Sequence, residues 1–285
     1  MKRVEITAPG VVSWVDHPTP IVGPKDVLLK IEPAGCIPLG HEPAGEVAEI
    51  GKDIESPDVE VGDLVVVDTM VFQDGLLGSG GAQDAQCEYV VIYNYAPRKH
   101  QKKIPKSIPW HIAALNEPMA VALHATSSTR GSKRLEKALK VGADAVINSA
   151  EAEDLAAKLV ELQGDGATAQ NRGTRPGTDI FLDAAGAPPV PTQVCNMAKR
   201  GATFGVVGVH RKPTELNFAQ LISTELTTVF SVGYPNEIFE VTDDIVDNWD
   251  KYAEIASDQI PFDQALEALE LAKSGKANKV VVVFD

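Results

Sequence analysis

The stretch Gly40-His41-Glu42-Pro43-Ala44-Gly45-Glu46-Val47 decides the reading of this chain, because it sets an imidazole beside a carboxylate on a glycine-rich scaffold that leads into a β-type segment. Cys36 lies just upstream, and a second acid, Glu117, interrupts an otherwise apolar run. Thiolate, imidazole and carboxylate are donor types that zinc accepts. Three protein donors with an open fourth position form the pattern of a catalytic rather than a structural site. The sequence therefore predicts a zinc centre held by Cys36, His41 and Glu117, with Glu42 either a further ligand or a partner that orients the site.

Each of these residues also has a plainer reading. A lone cysteine is commonly a small buried thiol, and an isolated histidine is commonly a satisfied core imidazole. Glu117 beside Pro118 could be an exposed acid at a helix start, where the helix dipole favours it. The glycine-flanked His-Glu pair near Cys36 tips the balance toward a metal. An unpaired carboxylate between Ile112-Ala113-Ala114-Leu115 and Met119-Ala120-Val121-Ala122 would be costly to bury, and a metal removes that cost.

Working outward, the 285 residues are 44% hydrophobic and 23% charged, within globular norms and enough for two modest domains. A net charge of −14 argues against non-specific nucleic-acid binding and against attraction to an anionic membrane surface. Cys36, Cys87 and Cys195 are odd in number and widely spaced, which disfavours a disulfide framework and favours the cytoplasm. Neither Cys87 nor Cys195 has a C-x-x-C partner, so a structural four-thiolate zinc cluster is not expected. No run approaches the ~18 apolar residues that a membrane span needs, and a soluble protein is expected.

From residue 1 to about 95, short β-type runs separated by Pro and Gly predict an antiparallel, barrel-like domain; among them are Val27 to Ile31, Gly45 to Ile50 and Asp63 to Asp68. Ile112 to Ala125 reads as a helix with Pro118 at its first position, and Ser127 to Ser132 as a linker. Beyond it, predicted helices (Lys133–Val141, Glu151–Gln163, and one ending near Lys199) alternate with predicted strands (Ala143–Asn148, Asp179–Asp183, Ala202–His210). That alternation implies a parallel sheet with crossover helices. Near the end, Phe262, Leu266, Leu269 and Ala272 share a helical face, and Lys279 to Phe284 reads as a closing strand that rejoins the first domain.

Taken together, these motifs resemble the zinc-containing medium-chain alcohol and polyol dehydrogenases. The likeness rests on Gly40-His41-Glu42-x-x-Gly45-Glu46-Val47, Val61-Gly62-Asp63-x-Val65-Val66, Glu117 to Ala125, Gly142 to Asn148, Asp183-Ala184-Ala185-Gly186 and Gly205 to Val209, in the family's order. It implies an α/β protein that pairs a GroES-like β domain with a Rossmann doubly wound domain. The corresponding division is a catalytic domain over residues 1–125, a nucleotide-binding domain over 126–255 and a C-terminal segment, 256–285, returning to the catalytic domain. It also implies hydride transfer between an alcohol or carbonyl substrate and NAD or NADP, with zinc in the cleft between the domains, and a homo-oligomer of two or four subunits. The residues that match the family's dinucleotide contacts are Arg134, Ala185, Gly186, Val207 and Gly208.

This chain departs from the family twice. After Cys36 come Ile37-Pro38-Leu39-Gly40, without the loop and the Ser or Thr proton relay that the family carries there. Between Ala125 and Leu135 the first Rossmann strand, its G-x-G-x-x-G turn and the following helix are missing, and with them the ribose-binding acid. The alternative to a dehydrogenase is accordingly a shortened, inactive relative that serves as a binding or structural protein.

Overall fold

The computed structural model describes residues 1–35, 40–72, 77–78, 82–128, 135–149, 151–168, 173–256 and 258–284. Two compact units emerge: Met1–Ala120 with Pro235–Asp285, and Val121–Tyr234. The divisions fall at 120/121 and 234/235, where the sequence reading put them at 125/126 and 255/256. The earlier terminal division reflects a helix described below.

In the first unit, β1 (Lys2–Ala8) and β2 (Val11–Asp16) form an antiparallel hairpin. They are followed by β3 (Val27–Gly35), β4 (Pro43–Ile50), β5 (Leu64–Val67), β6 (Tyr89–Ile92) and β7 (Gln101–Lys103). Val27, Leu29 and Ile31 alternate along β3 and point into one core with Val47, Val65, Val67, Val90 and Ile92; period two is what a pleated strand requires to bury one face. β4 and β6 both pair antiparallel with β3, and β5 and β7 extend the sheet from β4.

The short helix α1 (Trp110–Ala113) precedes α2 (Asn116–Ser128). The one helix predicted from Ile112 is thus two, and Pro118 is the third residue of α2 rather than the first. It still lies in the first turn, where a missing N–H costs no intrahelical bond. α2 runs through Ser127 and Ser128, which had been read as linker; residues 129–134, the rest of that linker, lie outside the described residues.

The second unit contains α3 (Leu135–Lys140), α4 (Leu155–Gln163), the short pair β8 (Asp165–Gly166) and β9 (Arg175–Pro176), then β10 (Ile180–Asp183), α5 (Val190–Met197), β11 (Thr203–Val206), α6 (Phe218–Leu221) and β12 (Thr227–Phe230). β10, β11 and β12 form a parallel sheet in that order. The predicted strand at 143–148 does not form. A strand needs a neighbour to receive its backbone groups, and among the described residues this unit offers no strand upstream to supply one. α4 starts at Leu155 because Asp154 accepts the Ala157 N–H at 3.0 Å and caps it there. β11 stops at Val206, since the N–H groups of Val207 and Gly208 both turn to the carbonyl of Asp183, at 2.9 and 2.8 Å.

The chain then re-enters the first unit through α7 (Ile238–Tyr252), β13 (Asp258–Pro261), α8 (Ala265–Lys273) and β14 (Val280–Val283). α7 was not foreseen, although Ile238, Val241, Thr242 and Ile245 recur at helical spacing and are its buried face. β14 pairs antiparallel with β3, Val281 opposite Gly35, and parallel with β13. Ala265, Ala268 and Leu269 of α8 pack on Val280 and Val282 in a second core. Among the described residues no helix is long and apolar enough to cross a membrane.

Candidate metal centre

Gly40 shapes the turn that presents His41. Its φ is +66°, and a Cβ there would lie 2.5 Å from the Gln86 backbone nitrogen and 2.7 Å from that of Ala85. Only glycine fits both the left-handed conformation and the close backbone approach. The Gly40 carbonyl accepts the Ala85 N–H at 3.0 Å. Asp84 holds that segment in turn, accepting the Gln86 N–H at 3.1 Å and pairing with Arg3 at 2.8 Å.

Glu42 sits immediately before β4 and is 6% exposed. Glu117 is the second residue of α2, its side chain 11% exposed. The Asn116 beside it is bonded through its side chain to α7. His41 Nε2 lies 3.6 Å from Glu117 Oε2 and 3.9 Å from Glu42 Oε1, and one donor atom from each of the three residues falls within 4.8 Å of the others.

These separations are too long for direct hydrogen bonds. They approach the spacing of two donors that share a zinc, which at ~2.0–2.1 Å each in tetrahedral geometry sit roughly 3.3–3.4 Å apart. Burial, reinforced by the neighbouring Glu42 carboxylate, pushes the Glu117 carboxyl up to about 8 against the opposing pull of Lys279. A divalent cation relieves both causes at once, so the donor set and its electrostatics fit zinc.

The structure thus brings together His41, Glu42 and Glu117. Cys36, the predicted thiolate, lies outside the described residues. Sequence reasoning missed Lys279, whose ammonium pairs with Glu42 Oε2. It precedes the closing strand, and nothing local in the sequence marks it. Cys87 and Cys195 are buried free thiols.

In the second unit, taken by itself, Ala185, Gly186, Val207 and Gly208 converge at the carboxyl ends of β10 and β11, where open α/β sheets bind ligands. The N–H groups of Ala185 and Gly186 both donate to Asp183 Oδ1 at 2.9 Å. Gly208 packs so closely on Gly186 that a Cβ would overlap its backbone. His210 Nε2 meets Asp183 Oδ2 at 2.6 Å, a pairing that sequence reasoning also missed. That mutual packing accounts for the glycines at 186 and 208, and the glycine-rich pyrophosphate turn is absent from the sequence. Arg134 lies outside the described residues.

The family model described as zinc-binding dehydrogenase matches residues 120–248. The L-threonine 3-dehydrogenase of Pyrococcus abyssi is 28% identical, with 86% of this chain and 81% of the relative aligned. That alignment runs over 298 positions, more than this chain possesses, so it bridges stretches that this chain lacks.

Among solved structures, the 2R,3R-butanediol dehydrogenase of Bacillus subtilis superposes with a TM-score of 0.81 at 20% identity, covering 99% of each chain. An alcohol dehydrogenase from Escherichia coli CFT073, complexed with NADH, has a TM-score of 0.81 at 20% identity and covers 100% of this chain and 99% of its own. At such identities the structural likenesses establish the fold: a GroES-like β domain joined to a Rossmann-type domain. The chain is thus similar, in sequence and in fold, to the zinc-binding medium-chain alcohol and polyol dehydrogenases.

Proposed function

We infer that this protein is a zinc-dependent oxidoreductase that transfers a hydride between an alcohol or polyol and a nicotinamide cofactor. The observation that carries the reading is the convergence of one donor atom each from His41, Glu42 and Glu117 within 4.8 Å in a largely buried cluster. When bound, zinc supplies Lewis acidity toward a hydroxyl or carbonyl oxygen, and the nicotinamide accepts or returns the hydride. His41 and Glu117, with Cys36, would hold the metal. The backbone around Ala185, Gly186, Val207 and Gly208 would line the nicotinamide end of the cofactor. Burial of Glu42 and Glu117 strengthens the electrostatics of the cluster.

The domain roles follow: the unit carrying His41 and Glu117 is the catalytic one, and the unit carrying Asp183 to Gly186 is the nucleotide-binding one. The relatives' substrates direct the choice of compounds to try, beginning with L-threonine and 2,3-butanediol. We propose a cytoplasmic protein that assembles as a dimer or tetramer, consistent with its acidic charge and free thiols. The relatives L-threonine 3-dehydrogenase, sorbitol dehydrogenase and (R,R)-butanediol dehydrogenase favour the oxidoreductase reading over that of an inactive binding protein.

The test is reduction of NAD and NADP followed by absorbance, with L-threonine, 2,3-butanediol and sorbitol, on zinc-loaded and chelator-treated protein. Activity that appears with zinc and disappears on chelation is expected. A zinc-free preparation that turns over equally fast would overturn the assignment.

A further inference from the structure

A cavity of about 490 Å³ lies in the first unit, and none of the candidate metal donors lines it. Its size falls within the ~300–1,000 Å³ of small-molecule sites. Part of the lining is aromatic. Trp14 of β2 and Phe262 meet edge to face with ring centroids 4.9 Å apart, and Phe262 stacks on Phe284 at 4.0 Å. Phe262 opens the turn Phe262–Gln264 after β13, and Phe284 follows β14. All three rings pack on the second core yet stay only partly buried, so they fill the interior on one side and border the cavity on the other. Tyr89, which begins β6, adds a fourth ring to the lining.

The charged part of the lining is unbalanced. Lys2, Lys30, Asp16, Glu88 and Asp263 all border the cavity. Lys30 is already paired with Glu32 at 2.8 Å, which leaves Lys2 against three carboxylates. Asp16 shares a face of β2 with Trp14, two residues before it, and Asp263 directly follows Phe262. Chain geometry thus sets each of these exposed acids near a ring. The three carboxylates do not converge as metal ligands do. Among the described residues, only His41, Glu42 and Glu117 offer donor atoms that close together.

We propose that this cavity binds an organic ammonium ion with apolar substituents, at a site separate from the metal centre. The ring quadrupoles attract a weakly hydrated cation. The substituents cover apolar surface of Trp14 and Phe262, while Asp16, Glu88 and Asp263 supply the opposite charge. An anion of the same size would meet that surplus of carboxylates and be repelled.

The test is calorimetric titration of the full chain with benzyltrimethylammonium, beside benzenesulfonate and benzamide as anionic and neutral probes. Saturable binding of the cation is expected, with a Kd at or below roughly 1 mM for a ligand of this size. Added sodium chloride should weaken it. The double change Asp16→Asn with Asp263→Asn, at exposed positions that the fold does not depend on, should weaken it roughly tenfold or more. Phe262→Leu keeps apolar bulk but removes the ring, and should weaken it by about threefold or more. Should Phe262→Leu not fold, the double Asn variant remains decisive. Absence of saturable binding, binding of benzenesulfonate or benzamide as tight as that of the cation, or an affinity unchanged in the double Asn variant would overturn the proposal.

Discussion

Thr242 Oγ1 donates to Asn116 Oδ1 at 2.8 Å, and Asn116 Nδ2 donates to the Ile238 carbonyl at 3.2 Å, so α7 is bonded to the residue just before Glu117. Both side chains are fully buried. Thr242→Val keeps the shape but leaves the Asn116 oxygen without its donor, which should cost about 1–3 kcal/mol. A lower urea midpoint with an unchanged slope is expected, together with weaker zinc retention as the start of α2 loosens. Thr242→Ser should restore both. A Val variant as stable as the wild type would remove Asn116 from the support of the site.

Gly40 faces backbone on every near side. Gly40→Ala should destabilise the protein by roughly 1–3 kcal/mol, from positive-φ strain and from overlap with Ala85 and Gln86. Because the turn delivers His41, zinc content should fall more than stability alone explains. Metal analysis of folded protein at low temperature separates the two effects. Full zinc occupancy in a folded Ala variant would mean that the turn does not aim the imidazole.

The cysteines allow a test of Cys36. Burial drives the Cys87 thiol up to about 12 and raises that of Cys195 as well, so neither presents a thiolate near neutral pH. Native, zinc-loaded protein should therefore react slowly with a disulfide reagent, and chelation should expose one fast thiol, abolished by Cys36→Ser. A fast thiol already present in the zinc-loaded form would exclude Cys36 as a ligand.

His100 is buried, and its Nδ1 accepts the Ala96 N–H at 2.9 Å. Burial lowers its pKa below the ordinary 6.5. The unfolded chain then binds a proton before the folded one does, so the stability that this residue confers is complete above pH 6.5 and is lost as pH falls through the depressed folded value. Urea midpoints measured downward from pH 7 should fall for the wild type, and less steeply for His100→Gln. Parallel profiles would show that another group governs the loss.

Much of the first unit was legible because its cues are local. Short β-type runs separated by Pro and Gly mark β3, β4 and β5, and the Gly-His-Glu run marks the candidate metal donors. The strand expected at 143–148 failed for a non-local reason, since its pairing partner would have come from a segment that this chain does not carry. α7 had a readable period in Ile238, Val241, Thr242 and Ile245 and was overlooked, whereas its bond to Asn116 could not be read, because contacts between distant elements leave no periodic trace.

By itself, the sequence pointed to the zinc-type donors Cys36, His41 and Glu117, with Glu42 as a further ligand or a partner, and showed the change from β-rich to alternating α/β pattern and the lack of the glycine-rich dinucleotide turn. These are matters of residue identity, order and spacing. Only the tertiary structure decided that Glu42 meets Lys279 across Gly35 and that His210 meets Asp183. Such pairings depend on strand register and on where a turn returns the chain, which are set by cooperative packing rather than by neighbours in sequence.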